Sequence, residues 1–73
     1  MQLLPMDAPA EIHRWASKDA GDVVVARGPL VIMARGLMSL SPVDRGACWI
    51  TTEAGDLSAD DAEAALRAWS KRH

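Results

Sequence analysis

The fold class of this chain depends on residues 22–36, which read Asp-Val-Val-Val-Ala-Arg-Gly-Pro-Leu-Val-Ile-Met-Ala-Arg-Gly. Two short apolar runs, residues 23–25 and 30–33, lie between glycine and proline breaks. Short apolar runs bounded by such breaks are typical of β-strands. The segment therefore predicts two strands, and two short helices are the alternative that the pattern leaves open.

A helix is predicted before this segment, at about residues 8–20. Asp7 is a good N-cap, Pro9 is tolerated in a first helical turn, and Gly21 can end the helix. Apolar residues recur at helical spacing and form one stripe: Ala8, Ile12, Trp15 and Ala16. We expect Trp15 to face the core from this helix.

A second helix is predicted at about residues 59–71. Ser58 and Asp61 have the spacing of a capping box with Asp in place of Glu. Glu63 and Arg67 form a favourable i,i+4 pair. The buried stripe is Ala62, Ala65, Leu66 and Trp69.

The remaining middle segment predicts a hairpin, with residues 38–40 and 47–52 as strands and residues 41–46 as its polar tip. We therefore predict an α+β fold in which two amphipathic helices flank and cover one face of a three- to four-stranded antiparallel meander. Residues 1–6 are expected to be a flexible lead-in, and residues 7–73 a single small domain.

Part of the chain, residues 29–56, resembles a winged-helix domain. The resemblance lies in Arg35-Gly36-Leu37, which matches the step at the end of a recognition helix, and in Thr52-Glu53-Ala54-Gly55, which matches the step that closes a wing. It implies a winged helix as the alternative fold and DNA as the partner, with Arg45 at the wing tip near phosphate. The chain departs from that pattern because residues 22–36 are cramped for two helices and Arg35 is the only base of the would-be recognition segment.

Composition narrows the range of functions. The chain has 73 residues, a net charge of −2 and one cysteine, Cys48, so it forms no internal disulfide and fits a reducing cytoplasm. It has neither a signal-peptide pattern nor an apolar run long enough for a membrane span, so we expect no membrane partner. Cys48, His13 and His73 do not stand at metal-ligand spacing, so we expect no metal and no cofactor.

Enzymatic activity is not expected. His13 and Cys48 are the residues from which a nucleophile–base dyad could be built, but nothing local in the sequence activates the thiol between Ala47 and Trp49. We interpret Cys48 as a small buried strand residue. The chain also has no phosphate loop and no paired-carboxylate motif.

The candidate binding residues are a tryptophan and several bases. If Cys48 and Ile50 face the core, Trp49 is partly exposed and marks an interface, since Trp and Arg are enriched at binding hot spots. The bases are Arg14, Lys18, Arg35 and Arg45, with Arg27 beside them. They could contact phosphate, but nearby acids match them in number, so a mixed solvated surface is the simpler interpretation.

Two functional hypotheses follow. The first is a small protein-binding regulator or inhibitor that occludes a larger protein partner, of the type represented by phage anti-CRISPR and antirepressor proteins. The second is a winged-helix DNA-binding transcriptional regulator. The acidic balance favours the first, because DNA affinity comes mainly from phosphate neutralisation. We also expect that the chain can form a homodimer, because so small a domain gains stability from self-association.

Overall fold

The computed structural model describes residues 5–71, which form a four-stranded antiparallel sheet and three helices. In chain order the elements are β1 (Pro9–Ser17), β2 (Gly21–Pro29), α1 (Leu30–Met38), α2 (Pro42–Gly46), β3 (Cys48–Thr52), β4 (Gly55–Leu57) and α3 (Ala59–Ser70). The strand order in the sheet is β2-β1-β3-β4. The predicted α+β class with a small antiparallel sheet is confirmed.

The core lies between one face of the sheet and two helices. Helix α1 contacts β1, β2 and β3, while α3 contacts β3, β4 and α1. Leu30 and Leu37 of α1 and Ile50 of β3 are fully buried there. We call this side of the sheet the covered face, since α1 and α3 lie on it.

The helix predicted at residues 8–20 is wrong. Residues 9–17 form β1, a central strand that pairs with β2 on one side and β3 on the other. Ala10 and Ile12 are buried while Glu11 and His13 are only half-buried, which is the two-residue period of a strand. The pairing on both sides outweighs a helical pattern in which two of the four stripe residues were alanines.

The strand predicted at residues 30–33 is also wrong, because this run begins α1. Its buried residues are Leu30, Met33, Ala34 and Leu37. These positions follow the i, i+3, i+4, i+7 spacing of a helix, which continues past Arg35-Gly36. Residues 23–25, in contrast, lie in a strand as predicted, within β2.

The predicted hairpin is only half present. Residues 48–52 form β3, but residues 38–40 are the end of α1 and its exit, and residues 42–46 form the short helix α2. Ser41 caps α2 by accepting a hydrogen bond from the backbone of Asp44 at 3.3 Å. Strand β3 instead forms its hairpin with β4, so the tip of that hairpin is Glu53-Ala54.

The C-terminal helix is confirmed as α3. The backbone N–H of Asp61 donates to Ser58 Oγ at 3.2 Å, and the Ser58 N–H donates to Asp61 Oδ2 at 3.2 Å, which completes the capping box. Arg67 Nη2 donates to Glu63 Oε1 at 2.6 Å. Ala62 is fully buried, and the rest of the predicted stripe packs against the core.

The end of the predicted lead-in is part of the fold. Met6 is buried in the core, and its carbonyl accepts a hydrogen bond from the Val31 N–H at 2.7 Å. Pro5 also accepts from the Ala8 N–H at 2.9 Å. Residues 1–4 of the lead-in lie outside the described residues.

Candidate functional site

The face of the sheet opposite the helices carries most of the chemically distinctive side chains. Successive side chains of a strand point to opposite faces, and paired residues on neighbouring strands share a face. Glu11 lies opposite both Arg27 and Thr51, and His13 lies opposite both Val24 and Trp49. We call this surface the open face, and its residues are Glu11, His13, Trp15, Asp22, Val24, Arg27, Trp49, Thr51 and Asp56.

His13 is at the centre of the open face and is held on three sides. Its Nδ1 lies 2.6 Å from Asp22 Oδ2 and its Nε2 lies 2.9 Å from Thr51 Oγ1. Its ring stacks on Trp49, with centroids 5.6 Å apart and planes 12° from parallel. With a neutral ring, Nδ1 donates to the carboxylate and Nε2 accepts from the hydroxyl. These contacts orient Trp49 as well as His13.

The open face is acidic. Arg27 Nε donates to Glu11 Oε2 at 2.6 Å, so the one arginine of this face is already paired. Asp22 and Asp56 add two further carboxylates. Three carboxylates therefore stand beside one arginine, and a basic partner surface suits this face better than a phosphate backbone does.

The far half of the β1–β2 hairpin extends beyond the rest of the sheet. The Trp15 N–H still donates to Ala47 at 2.9 Å, but beyond this point β1 pairs with β2 alone. We call residues 15–25, which are this end of the hairpin and the three valines of β2 that follow it, the arm. Its turn contains Gly21 with φ +73°, a conformation that glycine adopts without strain.

The arm also holds most of the exposed apolar surface. Trp15 is 54% exposed, and Val23, Val24 and Val25 are between 40% and 53% exposed. Of the large apolar side chains exposed in the described residues, the others are Ile32 on α1 and Val43 on α2. Several exposed apolar side chains in one segment mark an interaction surface more often than a scattered residue does.

The Asp22–His13–Thr51 arrangement has the order of an acid–base–nucleophile relay, but its surroundings do not suit acyl transfer. Thr51 lies in β3, which pairs with β1 on one side and β4 on the other, so its backbone neighbours serve the sheet ladders. An oxyanion needs free donors beside the nucleophile. The contacts with Asp22 and Thr51 fix the orientation of the His13 ring, on which Trp49 stacks.

The structure separates His13 from Cys48, the two residues of the dyad considered above. Cys48 is buried on the covered face, while His13 belongs to the open face, so they lie on opposite sides of the sheet. Within residues 5–71 no cluster of three or more His, Cys, Asp or Glu side chains has a geometry that could hold a metal ion.

The predicted basic residues do not form one surface. Arg14 lies 4.0 Å from Asp44 beside α2, and Lys18 is in the β1–β2 turn. Arg35, on α1, lies over the ring of Trp69 at 5.2 Å from its centroid. These bases are distributed over three separate parts of the molecule.

Arg45 is not at a hairpin tip. It lies in α2, and its Nη2 donates to the carbonyls of Met38 and Leu40, each at 3.1 Å. These carbonyls belong to the end of α1 and to its exit, where backbone acceptors have no helical partner. In this structure the guanidinium therefore connects α2 to α1.

The two predictions about tryptophans have different outcomes. Cys48 and Ile50 are buried, and Trp49 between them is half-buried on the opposite face, as expected for an outward-facing strand residue. Trp15, expected in the core, is instead exposed on the arm. The alternation of Glu11, His13 and Trp15 was the sequence signal that Trp15 shares a face with the other two. No local signal in the sequence indicates that Asp22 and Thr51 contact His13.

No protein-family model, curated protein or solved structure matches this chain. Within the part of the chain that the structure describes, none of the helices has the length and apolar character needed to cross a membrane.

Proposed function

We propose that this chain is a non-enzymatic protein-binding regulator or inhibitor that occludes a larger partner through its open face. The observation that carries this proposal is the pair of tryptophans on one uncovered sheet face. Trp15 is more than half exposed on the arm, and Trp49 is oriented by its stack on His13. Aromatic residues held in place before binding lose little entropy when a partner docks.

The charge of the open face indicates the chemistry of the partner. Glu11, Asp22 and Asp56 surround the aromatic residues, and Arg27 is already paired with Glu11. A protein surface that combines an apolar anchor site with lysine or arginine at its rim complements this arrangement. The buried free thiol of Cys48 fits action in a reducing cytoplasm.

DNA binding of the winged-helix kind is the second candidate function. The observation in its favour is the order of elements after residue 29, in which α1 and α2 precede the β3–β4 hairpin and α3. Against it, the hairpin tip is Glu53-Ala54, and Arg45 donates to backbone carbonyls. A phosphate backbone would meet few free bases on these elements.

A capture experiment with matched variants tests the first proposal. The tagged chain is incubated with lysate of the source organism, with and without nuclease, and the same is done with Trp15→Ala and Trp49→Ala. Ile32→Ala is the control, because Ile32 is about as exposed as Trp15 but lies on α1. Circular dichroism of each variant verifies that it is folded.

We expect to capture a protein partner in the same amount with and without nuclease. Ile32→Ala should capture as much of it as the wild type does. Trp15→Ala and Trp49→Ala should each capture at least tenfold less, which corresponds to about 1.4 kcal/mol of binding free energy. Partner capture that disappears with nuclease would support the DNA candidate instead. Capture that both tryptophan variants retain would overturn the open face as the contact surface.

A further inference from the structure

Strand β2 is a long edge strand, and a bulge at Val25 is the one irregularity along it. It pairs with β1 on one side, and its other side faces no strand in the described sheet. Natural edges are blunted by lysine, proline, bulges or short length. Strand β2 is nine residues long, contains no lysine and has its one proline at its end, Pro29. It also exposes three consecutive valines, Val23 to Val25.

A bulge gives this edge a symmetric pattern. Ile12 pairs with Ala26 and His13 pairs with Val24, which leaves Val25 as the extra residue. Because of this extra residue, Asp22 and Arg27 lie on the same face of the sheet although five positions separate them. In a regular strand, residues five positions apart would point to opposite faces.

The edge is self-complementary when it is placed antiparallel to a second copy of itself. If Val24 of one copy lies opposite Val25 of the other, Val23 lies opposite Ala26 and Asp22 lies opposite Arg27. Each pair then joins two apolar side chains or an acid and a base, and the two-fold symmetry forms the Asp22–Arg27 ion pair twice. Arg27 and Asp22 have contacts within their own chain, but their side chains remain 73% and 44% exposed, so both can accept a further partner.

We propose that two copies of this chain associate through β2, joining their sheets into one continuous antiparallel sheet. The two-fold axis runs perpendicular to the sheet, so both open faces lie on the same side and present two pairs of tryptophans. The interface covers the valines of the arm and supplies stability that so small a core needs from elsewhere. This inference does not depend on the proposed function, since it uses the free edge of β2 and neither tryptophan of the open face.

Sedimentation velocity of the purified chain over a range of concentrations tests the dimer. We expect the wild type to shift from monomer to dimer as its concentration rises to about 100 µM, the range in which micromolar contacts are populated. Val25→Lys places two lysines at the two-fold axis and is expected to weaken the dimer at least tenfold. Val43→Lys is the control, because Val43 is a more exposed valine on α2, and it should dimerise like the wild type.

A charge-complementation experiment tests the register. Asp22→Arg alone and Arg27→Asp alone each place like charges opposite each other in the dimer, so each variant is expected to be monomeric. A mixture of the two variants restores opposite charges in both pairs and is expected to dimerise. Hydrogen exchange gives an independent measurement, with amide exchange in residues 21–28 slowing as the wild-type concentration rises.

The proposal is overturned if the wild type stays monomeric at about 100 µM, or if Val25→Lys dimerises as well as Val43→Lys. It is also overturned if the mixture of charge variants stays monomeric while circular dichroism shows both to be folded. Trp15→Ala should leave the dimer unchanged, which separates this inference from the proposed function.

Discussion

The two halves of the β1–β2 hairpin share one ladder of β1–β2 pairs but have different surroundings. In the near half, Ala10 and Ile12 are buried beneath the helices. In the far half, residues 15–25 expose a tryptophan and three valines. The apolar side chains of one hairpin therefore supply part of the core at one end and an interaction surface at the other.

The difference follows from the geometry of the elements. A strand rises about 3.3 Å per residue and a helix about 1.5 Å, so nine residues span about 30 Å in β1 and only about 13 Å in α1. Both elements have nine residues. One helix of this length cannot cover the full strand that it packs on, so the end of the hairpin stays uncovered on that side. Trp15 points to the open face, which the helices do not cover at all.

The largest expected effect is at the centre of the covered face. Ile50→Ala should cost about 2–5 kcal/mol, because Ile50 is fully buried in a central strand and its truncation leaves a cavity. Urea denaturation measures this change. Ile32→Ala, which removes the same atoms from an exposed position, is expected to stay within about 0.5 kcal/mol. Equal losses in the two variants would show that the contrast between covered and open surfaces is wrong.

The second effect concerns the tryptophan of the covered side. Trp69 packs half-buried against the core beneath Arg35, so Trp69→Ala should cost about 2–3 kcal/mol, less than the loss of a fully buried tryptophan. Arg35→Ala removes the cation–π contact and should cost about 0.5–1 kcal/mol. Thermal melts of both variants measure the difference, and a Trp69→Ala melt like that of the wild type would contradict its packing role.

A smaller effect is expected on the open face next to Ile50. Thr51→Val keeps the shape of the side chain but removes the hydroxyl that contacts His13 Nε2, at a cost of about 1 kcal/mol. The measurement is the denaturation midpoint together with the NMR spectrum of the His13 ring. An unchanged ring spectrum would contradict the proposed orientation of His13 by Thr51.

The smallest effect on stability is expected at the end of the arm. Trp15→Ala should change the free energy of unfolding by no more than about 0.5 kcal/mol, because its side chain is more exposed than buried. The measurement is urea denaturation of Trp15→Ala and Trp69→Ala under the same conditions. A loss at Trp15 as large as that at Trp69 would show that the arm is a structural element and not a docking surface.

The sequence predicted those elements whose signals are local. The capping box of Ser58 and Asp61 and the stripe ending at Trp69 correctly placed α3, because caps and dipole charges act within one turn. The valine run of β2 was also recognised, since β-branched side chains suit a strand. The exposure of Trp49 followed from simple alternation with Cys48 and Ile50.

The wrong predictions of secondary structure fall in segments whose apolar residues fit both the period of a helix and that of a strand. Residues 8–16 contain both a helical and an alternating pattern, and α1 contains a helical spacing within a run that also suits a strand. In a short apolar run, periodicity alone cannot distinguish the two. Asp22 and Thr51 could not be identified as site residues from the sequence. They are nine and thirty-eight positions away from His13, and only the pairing of the strands brings them together.

By itself, the sequence determined the α+β class, the C-terminal helix, the strand at residues 23–25 and an acidic composition that disfavours phosphate. The tertiary structure decided that β1 is a strand, because pairing with β2 and β3 satisfies its backbone on both sides. The tertiary structure also decided which tryptophan side chains are exposed and which are packed against the core. Trp69 has α1 and its Arg35 above it, whereas Trp15 points to the open face, away from the helices, and neither placement can be read from the residues themselves.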